Sequence, residues 1–383
     1  MVKDSAIKRV KKKKLNSIDY GLFYSILILL AIGLVMVYSA SSFYSKLYAG
    51  DSTAYLKKQA VASVIGLIAM FILMKFDYHK LKRITIPLVI INVPLLIAVW
   101  FFPAVKGAKR WIPLGPLGSF QPSELTKYTV VLFLALSLTV KGDSIKKFLT
   151  GVVPYLLFSG VAAGFVLLQK NLSIASLIMI VTFIMLFCDG AKKTHLFLYV
   201  FPPLGALAGL FIAIEPYRVA RLMNFLDPWK DASGDGYQLI QSFYSLGAGG
   251  LLGLGIGQSR EKTLYMPEPH NDFIFSIIGE ELGFIGCTII LLMFILLIWR
   301  GIVVALNAKD TYGMLLATGI ISVIAVQCII NIAVVTGSMP VTGVPLPFIS
   351  YGGTSLMITL SAMGILLNIS SQSNQKLNQA KVI

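Results

Sequence analysis

The residues whose types could do chemistry gather in one stretch, Met266-Pro-Glu-Pro-His-Asn-Asp-Phe-Ile-Phe-Ser-Ile-Ile-Gly-Glu-Glu-Leu-Gly283. A polar loop precedes it and an apolar segment runs on to Trp299. Asp272 therefore stands where water gives way to hydrocarbon, at the expected first turn of a membrane helix. A carboxylate there could serve as a general base or simply cap the helix N-terminus. One helical face collects Asp272, Ser276, Gly279, Gly283 and Gly286, a smooth surface for close packing. Glu280 and Glu281 lie roughly 12 to 14 Å further in at about 1.5 Å per residue, deep enough to need buried donors.

A second charged pair lies upstream, in Gln121-Pro-Ser-Glu-Leu-Thr-Lys127. Pro122 suits a first helical position, which makes Gln121 the cap and places Glu124 in the favourable first turn. Lys127, three residues on, shares a face with Glu124 and can pair with it just below the surface. The pair is either a helix-anchoring salt bridge or part of a cavity shared with Asp272.

Elements that position these groups follow from composition. The 383 residues are 56% hydrophobic and 13% charged, with a mean hydropathy of +0.80. That describes a polytopic all-α membrane protein. Spans are expected near 20–38, 58–76, 84–102, 122–140, 151–168, 172–188, 195–214, 272–299, 311–335 and 351–370. This gives about ten transmembrane helices, with a large extracellular loop (215–271) between helices 7 and 8. The chain divides into a basic cytoplasmic tail (1–17), a transmembrane domain (18–370) and a second cytoplasmic tail (371–383).

The net charge of +16 sits between spans and sets topology rather than nucleic-acid binding. Basic turns such as Lys75, Lys80, Lys82 and Arg83, or Lys141, Lys146 and Lys147, place both termini in the cytoplasm. Basic residues in the outer loops, namely Lys106, Lys109, Arg110, Arg218, Arg221, Arg260 and Lys262, suit a solvated surface or an anionic lipid diphosphate. Cys188, Cys287 and Cys328 suggest neither a disulfide framework nor a metal site.

Within the long loop, residues 236–246 read as a short amphipathic helix, with Tyr237, Ile240, Phe243 and Tyr244 on its membrane or bundle side. The glycine-rich turns that follow, up to Gln258, lack the third glycine of a dinucleotide fingerprint. Their N–H groups could hold phosphate oxygens or merely turn at the lipid surface. Pro340 to Thr354 carries three prolines before the last helix and cannot be helical throughout. It is expected against the same outer cavity.

With these segments assembled, the chain resembles the SEDS family (shape, elongation, division and sporulation), nearest its FtsW and SpoVE branch. The motifs are Gly33 to Ser41, Arg110-Trp111, Gln121 to Glu124 with Lys127, and Asp227-Pro-Trp229. Gly236 to Ser242, Gly253 to Ser259, Asp272 to Phe275, Glu280 to Gly283 and Pro340 to Thr354 complete them.

The resemblance implies a peptidoglycan glycosyltransferase that polymerises lipid II at the outer face of the bacterial cytoplasmic membrane. It implies Asp272 as the catalytic carboxylate, with a divalent cation (Mg or Mn) as a possible cofactor there. Substrate contacts are expected from Arg110, Trp111, Gln121, Ser123, Glu124, Lys127, Arg218, Arg221, Gln241, Ser242, Gln258, Glu268, Ser350, Gly352 and Gly353. Glu280 and Glu281 are intramembrane structural acids. Expected partners are lipid II, an undecaprenyl-linked glycan strand, a class B penicillin-binding protein, and division or sporulation proteins; nucleic acid is not one. Two departures stand out: Gln169-Lys-Asn-Leu-Ser-Ile174 where the family reads Q-P-D-L-G-T, and Asn271 where it reads Thr. The competing reading from another class is a lipid II flippase, which would set its charges near the midplane among internal repeats.

Overall fold

Lipid offers no partner to backbone N–H and C=O groups, so apolar runs of this length close their hydrogen bonds internally as helices. The computed structural model describes residues 18–105, 107–115, 118–214, 216–234 and 236–380, with backbone alone at 208, 216–218 and 374–380. The basic tail at 1–17 lies outside the described residues, as does Lys106. In chain order the helices are α1 (Tyr20–Ala49), α2 (Ala54–Lys75), α3 (Leu81–Ala98), α4 (Pro122–Lys141), α5 (Val153–Leu168) and α6 (Leu172–Cys188). Then come α7 (Phe201–Ile214), α8 (Pro216–Leu226), α9 (Tyr237–Gly249), α10 (Ile274–Leu306), α11 (Thr311–Val335) and α12 (Gly353–Ala380).

Among the described residues, nine helices are long and apolar enough to cross a membrane, and α6 is a shorter apolar one. The ten expected apolar helices are thus present in a multi-pass all-α bundle. α11 lies against α4, α6 and α10, while α2 packs along α12 and α1 along α10. The two ends of the described bundle meet. Asp19 caps α1 through the Leu22 N–H, its own N–H donates to Ser370, and Arg300 of α10 donates to its carboxylate at 3.1 Å.

Three expectations about elements need correction. α1 continues eleven residues past Tyr38; Ser39 at the start of this extension donates to Glu281 of α10, while the last turn, from Lys46 to Ala49, is exposed. The long loop contains two helices, since α8 precedes the expected amphipathic one. In α9 the buried face runs through Leu239, Ile240, Ser242, Ser245 and Gly249, whereas Tyr244 is exposed. Small residues there let α9 lie close to α10.

The third correction concerns α10, which is not one smooth helix. Gly283 has φ 67° and ψ −169°, a backbone state that favours glycine, and it breaks the helix into Ile274–Leu282 and Phe284–Leu306. The break frees backbone groups on both sides, and the glycine-rich turns after α9 take them up. Leu254 and Gly255 donate to the carbonyls of Glu280 and Glu281, while Phe284 and Ile285 donate to those of Gly250 and Leu251. Those loop N–H groups are therefore occupied by protein and are not open to phosphate. Gln258 lies exposed beyond them. The second half of α10 alone is roughly 34 Å long, enough to cross about 30 Å of hydrocarbon. Glu280 and Glu281 thus need not lie at membrane depth.

Candidate active site

Asp272 sits in the turn that leads into α10, half-buried. The cap position of α10 is Phe273, and the Asp272 carbonyl accepts from the Asn331 side chain at 2.7 Å. The same Asn331 amide donates to the carbonyl of Val344 at 2.8 Å. One side chain of α11 thus ties the Asp272 turn to the proline-rich segment. A Cβ added at Gly343 would lie 3.6 Å from Asp272 Oδ2, so the carboxylate rests against that segment.

Residues 340–352 form no helix, as their prolines require. Helix side chains satisfy their backbone instead. Ser173 donates to the Thr342 carbonyl at 2.6 Å and Arg221 to that of Val341 at 3.1 Å. Gln59 donates to the Ser350 carbonyl and accepts from the Gly352 N–H, both at 3.2 Å. The Ser350 hydroxyl accepts from the Leu346 N–H at 2.8 Å. Gly33 on α1 lets the segment in: a Cβ there would lie 2.3 Å from the Phe348 carbonyl oxygen. His270, two residues before Asp272, packs between Tyr44, Tyr55 and Tyr351, and its carbonyl accepts from the Tyr351 N–H.

The expected Glu124–Lys127 pair forms, with Nζ 2.9 Å from Oε2. Both side chains are almost wholly enclosed, at 3% and 0% exposure, so the pair is shut inside protein rather than lying open below a surface. Pro122 opens α4 as expected; Gln121 holds the cap position but its side chain makes no cap bond. Ser123 is buried and Trp111 half-buried nearby in sequence.

Several other expected contact residues have structural work. Arg110 donates to the carbonyls of Gln169 and Lys170, just past α5. Lys170 has φ 62°, which a proline ring could not adopt, so this chain's departure from Q-P-D-L-G-T changes the turn itself. Asn171 caps α6 through the Ile174 N–H, as an aspartate would. Ser242 donates to the last-turn carbonyl of Val335 in α11. Glu268 accepts from Asn271 at 3.0 Å, while Gln241 is half-buried and Gly353 opens α12 against Ala62. The Arg218 side chain lies outside the described residues.

The pair Glu280–Glu281 closes a buried lock. Glu281 accepts from Lys262 Nζ and from Ser39, each at 2.7 Å. Glu280 accepts from the Ser259 hydroxyl at 2.5 Å and the Arg260 N–H at 2.7 Å. Lys262 is therefore a buried structural cation, not an exposed one awaiting a lipid. Beside it, burial and then the Glu280 charge push the Glu261 carboxyl above its usual range. Asn331 and Lys262 were the roles hardest to foresee. An asparagine inside the apolar run 311–335 was the available signal for the first.

Among the described residues, no three His, Cys, Asp or Glu side chains converge on a metal site. A single carboxylate such as Asp272 suits a hard cation that takes most of its ligands from water and substrate phosphates.

The family model for FtsW, RodA and SpoVE, described as a cell cycle protein, matches residues 20–375. The chain belongs to this family. It is 45% identical over 366 residues to Stage V sporulation protein E of Bacillus subtilis (strain 168), covering 94% of this chain and 99% of that one. It is 41% identical to the probable peptidoglycan glycosyltransferase FtsW of Geobacter sp. (strain M18), covering 94% and 98%. Among solved structures, a chain from a peptidoglycan synthase complex, described as coordinating polymerization and crosslinking, superposes with a TM-score of 0.76. It is 31% identical, with 94% of this chain and 99% of that one covered. Thermus thermophilus RodA superposes with a TM-score of 0.69 at 27% identity, covering 92% and 97%.

Proposed function

We propose that this chain is a peptidoglycan glycosyltransferase that polymerises lipid II. The observation that carries the reading is the Asp272 carboxylate, half-buried at one end of a multi-pass bundle and rested against a segment whose backbone four helices fix. In this reading Asp272 takes the proton from an attacking sugar hydroxyl as that oxygen bonds to the anomeric carbon. The lipid diphosphate leaves without protonation, so one carboxylate suffices. A bound Mg or Mn ion would neutralise the leaving charge. Asn331 holds the Asp272 main chain, and the proline-rich segment shields one side of the carboxylate from water.

The Asp272 end faces outward, and both chain ends lie in the cytoplasm of a bacterial cell. A class B penicillin-binding protein working beside the chain would cross-link the product. The deciding experiment supplies purified full-length protein with lipid II, with and without that partner, and separates the products by length. Polymer from the parent and none from Asp272→Asn supports the reading. Movement of lipid II across vesicles by both proteins, with polymer from neither, would instead identify a flippase.

A further inference from the structure

Near the Asp272 turn lies a half-open cavity of about 260 Å³ to which the mechanism above gives no part. Arg221, Asn224 and Phe225 line it from α8, Ser233 from the following turn, and Tyr237 and Gln238 from the start of α9. Asn224 and Gln238 are half-buried and Ser233 is exposed, so their polar side chains border the cavity where water or a ligand can reach them.

The lining chemistry discriminates between occupants. Two amides and a hydroxyl offer donors and acceptors in both senses, and Tyr237 and Phe225 add aromatic surface. That combination suits a pyranose carrying an N-acetyl group, whose amide pairs with side-chain amides and whose C–H face packs on a ring. One guanidinium, already donating to Val341, is a poor match for a multiply charged phosphate group alone. Pockets for drug-sized molecules run from about 300 to 1,000 Å³, so this one takes a single ring and not a disaccharide with its peptide.

Position links it to the chemistry. Val341 forms one wall, and two residues further on Gly343 lies against the Asp272 carboxylate. Pro267 forms another wall, five residues before Asp272. We propose that this cavity is a sugar subsite, holding one N-acetylated ring of the growing glycan a unit away from the bond formed at Asp272. The proposal rests on the polymerase reading. A ring held there keeps the strand bound between additions, so the subsite governs product length more than the first bond.

The test uses full-length protein, lipid II and triacetylchitotriose as a soluble probe. In the double variant Asn224→Ala/Gln238→Ala, strands should shorten several-fold, with a smaller fall in initial rate. Triacetylchitotriose should inhibit the parent and inhibit this variant several-fold less. Unchanged strand lengths, or rate and length falling together, would overturn the proposal. Inhibition by inorganic diphosphate at this site, lost in the variant, with none by the chitotriose, would assign it to an anion and also overturn it. If the double variant does not fold, Ser233→Ala and the chitotriose competition on the parent decide. If the parent makes no polymer, the activity reading fails first, and calorimetric binding of chitotriose by parent and variant still tests the subsite.

Discussion

The side-chain amide of Asn331 donates to the main-chain carbonyls of Asp272 and Val344, at 2.7 and 2.8 Å. Two segments without regular structure are thereby joined by one residue of α11. Asn331→Leu should remove this donor from both carbonyls, at about 1–3 kcal/mol each. Displacing the carboxylate by even ~1 Å can cost about 100-fold in rate. Polymer formation should therefore fall further than the change in detergent melting temperature implies. A variant with parental activity would show that the clamp does not position Asp272.

Asp272→Asn keeps the shape of the side chain and removes its basicity. Loss of a general base typically costs about 100- to 10,000-fold, so polymerisation of lipid II should drop by that order with little change in melting temperature. Near-parental turnover in a folded variant would remove Asp272 from the mechanism.

For the enclosed pair, breaking one partner strands a buried charge, typically at about 3–5 kcal/mol. Glu124→Gln and Lys127→Met should each destabilise strongly, and the double variant should lose much less than their sum. Additive losses in thermal unfolding would mean that the two side chains do not act as a unit.

Asp189, just past α6, is half-buried, and its Oδ2 has no partner among the described residues. Burial pushes its carboxyl up to about 6. The folded state therefore binds this proton more tightly than the unfolded chain does, so this contribution to stability falls as pH rises through about 4 to 6. Asp189→Asn should melt higher than the parent at pH 8 and match it more closely at pH 5. Equal melting temperatures at pH 8 would show that the carboxylate carries no folding cost.

Much of the bundle was legible because lipid enforces a simple rule: apolar length makes helix. Pro122 at the start of α4 and the Glu124–Lys127 spacing were equally local signals. The break at Gly283 was not legible, because the helical pattern runs straight through it and the groups that satisfy it come from Gly250 to Gly255. Lys262 misled for the same reason, since its partners Glu281 and Ser39 are far away in sequence. α8 could have been found from Pro216 at its start and the spacing of Val219, Leu222, Met223 and Leu226.

The segment at 340–352 borrows its hydrogen bonds from Gln59 on α2, Ser173 on α6, Arg221 on α8 and Asn331 on α11. Three of those helices carry apolar faces toward lipid, and helices change tilt when bilayer thickness changes. Any such tilt is delivered to Gly343 and hence to the carboxylate beside it. Turnover in vesicles should accordingly vary with acyl-chain length at constant headgroup. The bundle would thus make the Asp272 carboxylate a gauge of the membrane that holds it.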